Sequence, residues 1–220
     1  MEHAVVVGVG PGLGAALVRR FAAGGLQVSA LARGGPRLDA LAGEISDAGG
    51  SVLGCASDVA DFDSLRAGIA AATDAFGPPR MLVYNVSQWI AAEAPDLDPV
   101  LLDHELRVCA TSALVATQAV LPAMRASGGC VIWTGGGTAL RPQNSRASPA
   151  LAAGKSAMRG LALASAAAFH DLGIHFTTIT INGAIAPGTP FAPDRIAERF
   201  WQAHLAPRAA WTGEILFDGA

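Results

Sequence analysis

The tightest constraint on this chain is a glycine-rich stretch set between an apolar run and a helical one. Residues 4–9 are apolar and largely β-branched. Gly8-Val9-Gly10-Pro11-Gly12-Leu13-Gly14 follows, and Leu13–Ala23 carries Leu13, Leu17, Val18 and Phe21 at helical spacing. Ordering glycine is costly in chain entropy, so such a cluster calls for a reason. A strand, a glycine turn and a helix start, in that order, let backbone N–H groups and a helix dipole approach a dinucleotide pyrophosphate without side chains in the way. On this reading Gly8, Gly10, Pro11, Gly12, Leu13 and Gly14 form a cofactor cradle.

The rest of the chain repeats the same alternation. Strands are expected at Gln27–Ala32, Ser51–Ala56, residues 81–85, residues 130–134, Ile174–Ile181 and Glu214–Phe217. Between them lie a helix carrying Leu38, Leu41 and Ile45, and a helix over residues 61–76 stopped by Gly77-Pro78-Pro79. A long helix is expected over residues 99–126, kinked or divided near its end by Pro122, and others over residues 148–170 and 192–204. Ser148-Pro149 reads as an N-cap followed by proline in the first turn. Strand–helix alternation without linker or repeat implies an α/β fold: one doubly wound Rossmann-type domain over residues 1–220, with a parallel sheet of about seven strands and helices on both faces.

Composition narrows the function. Of 220 residues, 51% are apolar and 15% charged, and the net charge is −3. That is core-forming material without the basic footprint of a nucleic-acid partner. Cys55, Cys109 and Cys130 are scattered, which suggests neither a disulfide framework nor a metal site and suits a reducing compartment. The N-terminus lacks a secretory pattern, and no uninterrupted apolar run of about 18 residues suggests a membrane span. The expectation is a soluble, cytoplasmic protein acting on a small molecule. After the second strand stands Arg33, with Arg37 nearby. An acidic residue there would hold a ribose 2′-hydroxyl, whereas arginine suits a 2′-phosphate, so NADP(H) is favoured over NAD(H).

Over essentially its whole length the chain resembles the short-chain dehydrogenase/reductase family. The turn matches that family's TGxxxGxG, with Val7 for the threonine and Gly8, Gly12 and Gly14 in place. Asp58-Val59 resembles the pair that contacts adenine, and Tyr84-Asn85-Val86-Ser87 resembles NNAG, keeping Asn85. Gly183-Ala184-Ile185 resembles the stretch that meets the nicotinamide amide, with Asn182-Gly183 a better counterpart of the family's Pro-Gly than Pro187-Gly188. The resemblance implies seven strands, a nucleotide across their carboxyl edge, a substrate pocket above the nicotinamide, and a homodimer or homotetramer.

It also implies chemistry by an asparagine, serine, tyrosine and lysine set, and here the match breaks. Lys155 is kept, but the tyrosine position is Leu151, which cannot donate a proton. The asparagine position is Cys109. The serine falls on Gly136 by strand register or on Thr138 by counting back from Leu151, and only Thr138 offers a hydroxyl. The catalytic candidates are therefore Lys155 and Thr138. Tyr84, the sole tyrosine, is expected near the adenine side. Ser145, Arg141, Asn144 and Arg146 lie in the loop above the expected pocket. His104, His170, His175, His204, Trp201 and Trp211 read as structural, surface or lid groups, and no cluster suggests a metal. The reading is an NADP(H)-binding oxidoreductase with an atypical site, transferring hydride to an imine or iminium, an activated alkene or a carbonyl. The alternatives are a non-catalytic NADP-binding regulator or subunit and a non-redox lyase or cyclase.

Overall fold

The structure is a computed structural model of the single chain and describes residues 1–219. Seven parallel strands run in the order β3-β2-β1-β4-β5-β6-β7. They are β1 His3–Val7, β2 Gln27–Ala32, β3 Ser51–Ala56, β4 Met81–Tyr84, β5 Gly129–Gly136, β6 Ile174–Ile181 and β7 Glu214–Phe217. The strand order reverses at β1, which pairs β2 on one side (Val7 with Leu31) and β4 on the other (Val7 with Tyr84). A doubly wound sheet opens its ligand crevice at such a reversal, beyond the carboxyl ends of the strands.

Helices α1 Leu13–Ala23, α2 Pro36–Asp47 and α7 Pro193–His204 cover one face, and α3 Phe62–Phe76, α5 Ser112–Ser127 and α6 Pro149–Asp171 the other. Alternate residues of β1 serve the two cores: Ala4 and Val6 pack toward α1, while Val5 and Val7 pack toward α3 and α5. Burial on both faces explains why the strands read as unbroken apolar runs. Trp133 fills the second core. Its indole N–H donates to Thr117 Oγ1 at 3.1 Å, and its ring stands edge-on to Phe176 at 4.9 Å. Arg159 of α6 holds both carboxylate oxygens of Glu214, at 2.7 and 2.6 Å, tying edge strand β7 to the helix layer.

The expected long helix over residues 99–126 is two helices. Helix α4 Pro99–Leu106 passes through a π-helical turn at Arg107–Thr111 into α5. Pro122 does not divide α5, which runs on through it to Ser127; the ring sits on the exposed side, where the lost N–H bond costs least. The stretch Pro99–Ser127 reaches a mean hydropathy of 1.3 over 18 residues, although polar residues such as Asp103, Glu105 and Gln118 interrupt it. Its buried side chains, Ala113, Ala116, Val120 and Met124 among them, are those of the second core. Ser148 stands at the N-cap position of α6 but makes no capping bond, and its hydroxyl is buried without a partner.

Candidate active site

The glycine turn is shaped by two kinds of crowding. Gly8 has φ +87°, and a Cβ there would lie 2.4 Å from the Asn85 carbonyl oxygen. A Cβ on Gly14 would meet the Gly8 carbonyl oxygen at 2.8 Å. These two glycines let the turn close on itself. Gly10 and Gly12 have nothing within 4 Å of an added Cβ, so their bare backbone faces open space at the start of α1. No side chain caps α1 and its first turn carries no acidic residue, which leaves the positive helix end for an anion. Open backbone and an uncapped helix start suit an anion such as a pyrophosphate.

Asn85 belongs to the same cradle. Its side-chain amide donates to Gly8 O at 3.1 Å, and its backbone N–H donates to Val7 O at 2.8 Å. Asp58 forms an Asx turn, accepting from Ala60 N at 2.9 Å, and Val59 O accepts from the Ser112 hydroxyl at 2.6 Å. The π turn thereby docks against the loop after β3. Arg33 and Arg37 are exposed beyond the end of β2 and enter no ion pair among the described residues.

Beyond the ends of β4, β5 and β6 lies a cavity of about 190 Å³. It brings together five residues expected from the sequence: Asn85, Thr138, Lys155, Gly183 and Ile185. Leu151 lines it too, one helical turn before Lys155 on the same face of α6. An apolar side chain thus occupies the wall where an acid was sought. Gly8 to Gly14, Arg33, Asp58 and Val59 lie along the same carboxyl edge, at the ends of β1, β2 and β3, outside this cavity. A wider groove of about 400 Å³ over α7, lined by Asp194, Arg195, Glu198 and Arg199, contains none of these groups.

Lys155 is the only lysine in the chain. It is 4% exposed, and its ammonium donates to Val86 O at 2.9 Å and Thr134 O at 2.8 Å. Two of three N–H donors are thereby used, and the third remains for a ligand. Burial pulls its pKa below the ordinary lysine value, opposed by the nearby Cys109 and Glu105. Cys109, at the asparagine position, is fully buried, and its thiol donates to Glu105 Oε1 at 3.1 Å. Burial chiefly, with Glu105 adding to it against the pull of Lys155, pushes the thiol up to about 12. Cys109 is a protonated thiol in the protein interior and cannot serve as a polar anchor in the cavity.

Two residues of this region went unnoticed in the sequence. Thr134 lines the cavity, and its hydroxyl is buried without a hydrogen-bond partner. At the end of a strand it reads merely as a β-former. Glu105 is fully buried on α4, and its Oε2 has no partner. A glutamate on a helix normally reads as a solvated face. Its spacing, one turn before Cys109, was the available signal.

Other candidates lie elsewhere. Tyr84 does not border the adenine side: it is fully buried in the second core, where its hydroxyl donates to Val108 O at 2.5 Å and burial raises its pKa. Trp201 packs on Gly24 and Phe21, His204 faces Glu2, and Trp211 stacks on His175 at 5.2 Å; none lines the cavity. Arg141 donates to Asn182 Oδ1 at 2.5 Å, and Arg146 pairs with Glu93 at 2.7 Å. No group of three or more His, Cys, Asp and Glu residues that could hold a metal occurs among the described residues.

Comparison with known proteins agrees with this geometry. A family model described as short chain dehydrogenase matches residues 2–192. The cis-1,2-dihydrobenzene-1,2-diol dehydrogenase of Pseudomonas putida is 33% identical over 192 residues, covering 85% of this chain and 66% of that protein. The chain therefore spans about two-thirds of the length of such curated relatives. A short-chain dehydrogenase from Rhodopseudomonas palustris superposes with a TM-score of 0.87 at 26% identity, covering 98% of this chain and 97% of the other. A metagenomic short-chain oxidoreductase solved in complex with NADP gives 0.86 at 24% identity, covering 98% and 96%. Sequence match, strand order and glycine cradle agree: the chain belongs to the short chain dehydrogenase family of oxidoreductases.

Proposed function

We propose that the chain binds NADP(H) along the carboxyl edge of its sheet and reduces a small molecule whose acceptor carbon needs no tyrosine acid. The observation that carries this reading is Leu151 in the cavity wall beside Lys155. A ketone develops alkoxide charge that must be met by a proton or a donor. An iminium already carries its charge and needs only hydride, and an activated alkene places its charge further away. Such acceptors fit an apolar wall better than a plain ketone does. The reduced nicotinamide supplies the hydride when bound. Lys155 holds its ribose and presents one remaining N–H to the cavity, and the hydroxyls of Thr138 and Thr134 are the groups available to orient the acceptor. Arg33 and Arg37, exposed and outside any ion pair, are the groups for a 2′-phosphate, which is the support for NADP(H) over NAD(H).

The test is a panel of cyclic imines, activated alkenes and ketones with NADPH, with a cis-dihydrodiol and NADP⁺ in the oxidative direction, following NADPH absorbance. Turnover with imines or alkenes ahead of ketones is expected. Preference for ketones overturns the reading. A second reading, a non-catalytic NADP-binding protein, is favoured by the burial of Cys109 against Glu105, which removes a further position from the cavity. Tight NADPH binding with no turnover on any member of the panel would establish it instead.

A further inference from the structure

The interior behind the cavity holds a charged arrangement that the hydride chemistry does not account for. Glu105 is fully buried, with one carboxylate oxygen receiving the Cys109 thiol at 3.1 Å and the other unpartnered. An unpaired buried carboxylate is costly unless a cation compensates it. The buried cation of this region is Lys155. The residue before it, Gly154, is what lets the two helices approach. An added Cβ there would stand 3.1 Å from Cys109 Sγ and 3.2 Å from Glu105 Cγ. Any side chain at 154 would push the glutamate and thiol away from α6.

We propose that Glu105 is a positioning residue for Lys155, its buried carboxylate supplying the counter-charge that keeps the chain's single lysine an ammonium at the cavity. The ammonium needs this support because its two hydrogen-bond partners, Val86 O and Thr134 O, are neutral. The titratable groups facing it are few. Glu105 comes from α4 and Cys109 from the π turn, and Tyr84 on β4 lies behind them with its hydroxyl engaged by Val108 O. The Cys109 thiol donates to Glu105, which makes the glutamate the acceptor of the set. This deepens the reading of Lys155 as the group that holds a nicotinamide ribose, but the charge arrangement belongs to the chain itself.

Because Lys155 is the only lysine, protein made with 15N-lysine gives one side-chain amine signal, and its pH titration reads Lys155 directly in the ligand-free chain. Glu105→Gln should lower the midpoint by about one unit or more, since an opposite charge nearby favours the ionised form. Glu105→Leu should do the same, and it guards against a misfolded glutamine variant because an apolar side chain suits the site. Cys109→Ala removes the thiol but leaves the carboxylate, so its midpoint should fall less than in the Glu105 variants. An unchanged midpoint in both Glu105 variants overturns the proposal, as does an equal fall in Cys109→Ala, which would report loosened packing alone. Neither measurement requires turnover, so a failed substrate panel leaves this test standing.

Discussion

The side chain of Asn85 donates to the carbonyl of Gly8 at 3.1 Å, while the carbonyl of Asn85 stands where a Cβ on Gly8 would be, 2.4 Å away. The ends of β1 and β4 are thus locked together by the residue that follows each strand. Gly8→Ala should therefore damage the protein without any ligand. Positive φ and the backbone clash together are expected to cost about 1–3 kcal/mol or more. Gly12→Ala meets nothing in the chain, so its melting temperature should stay close to wild type while NADPH affinity falls. Thermal melts set beside binding titrations separate the two cases.

Leu151→Tyr should restore the missing acid. The new hydroxyl would enter the cavity one turn from Lys155, in reach of its charge. Ketone reduction with NADPH is expected to rise by about 10²-fold or more, the usual contribution of a positioned general acid. Steady-state rates on the ketone members of the panel check this, and an unchanged rate would place the acceptor away from Leu151.

Thr134→Val removes a buried hydroxyl that has no partner in the chain. Stability of the ligand-free protein should hold or rise by about 1 kcal/mol, since an unsatisfied group is lost at nearly constant volume. Turnover or cofactor affinity should drop, because Thr134 lines the cavity. Loss of stability with intact activity would assign Thr134 to the core alone.

Arg33→Ala should weaken NADPH binding by about tenfold, as expected for loss of a charge-assisted contact to phosphate, and leave NADH binding unchanged. Titration of both nucleotides against wild type and variant reads the difference.

Acid should destabilise the fold through two buried histidines, His3 and His175, and the partly buried His204. His3, His175 and His204 all have pKa values below the ordinary 6.5, with desolvation the main cause. The unfolded chain takes up protons near 6.5, whereas the folded chain resists until lower pH. In that window the unfolded state binds more protons, so stability falls as pH falls. Melting temperature should be level above about pH 7 and decline below 6.5. His175 Nε2 has no hydrogen-bond partner, and its ring lies flat on Trp211. His175→Phe should flatten part of that decline.

Much of the architecture could be read from local pattern. Helix α1 and strands β2, β3, β6 and β7 have the boundaries expected from apolar runs and glycine stops, and the strand–turn–helix at Gly8 to Gly14 announced the crevice. The π turn at Arg107–Thr111 could not be seen. One extra residue in a helical turn leaves an apolar, alanine-rich stretch looking continuous, and Pro122 offered a more conspicuous break that the helix in fact absorbs. In the site, Leu151 and Lys155 were legible because they fall on a spaced motif. Glu105 and Thr134 were not, since their importance arises from burial without a partner, which is a property of the packed chain.

The floor of the cavity is Gly135, Gly136 and Gly137, and the space a side chain at 135 would take belongs to the hydroxyls of Thr178 and Thr180. Val86, Leu151, Ile181 and Ile185 supply the walls. Discrimination in such a space works by fit: a methylene gained or lost in an apolar pocket is worth about 1–3 kcal/mol, far less than a site that must satisfy a buried polar partner. Leu151 in this wall therefore bears on more than proton supply. Under the proposed function, acceptors would be ranked by shape with close homologues tolerated, and sharp selectivity would have to come from the few hydroxyls and the single ammonium at the cavity edge.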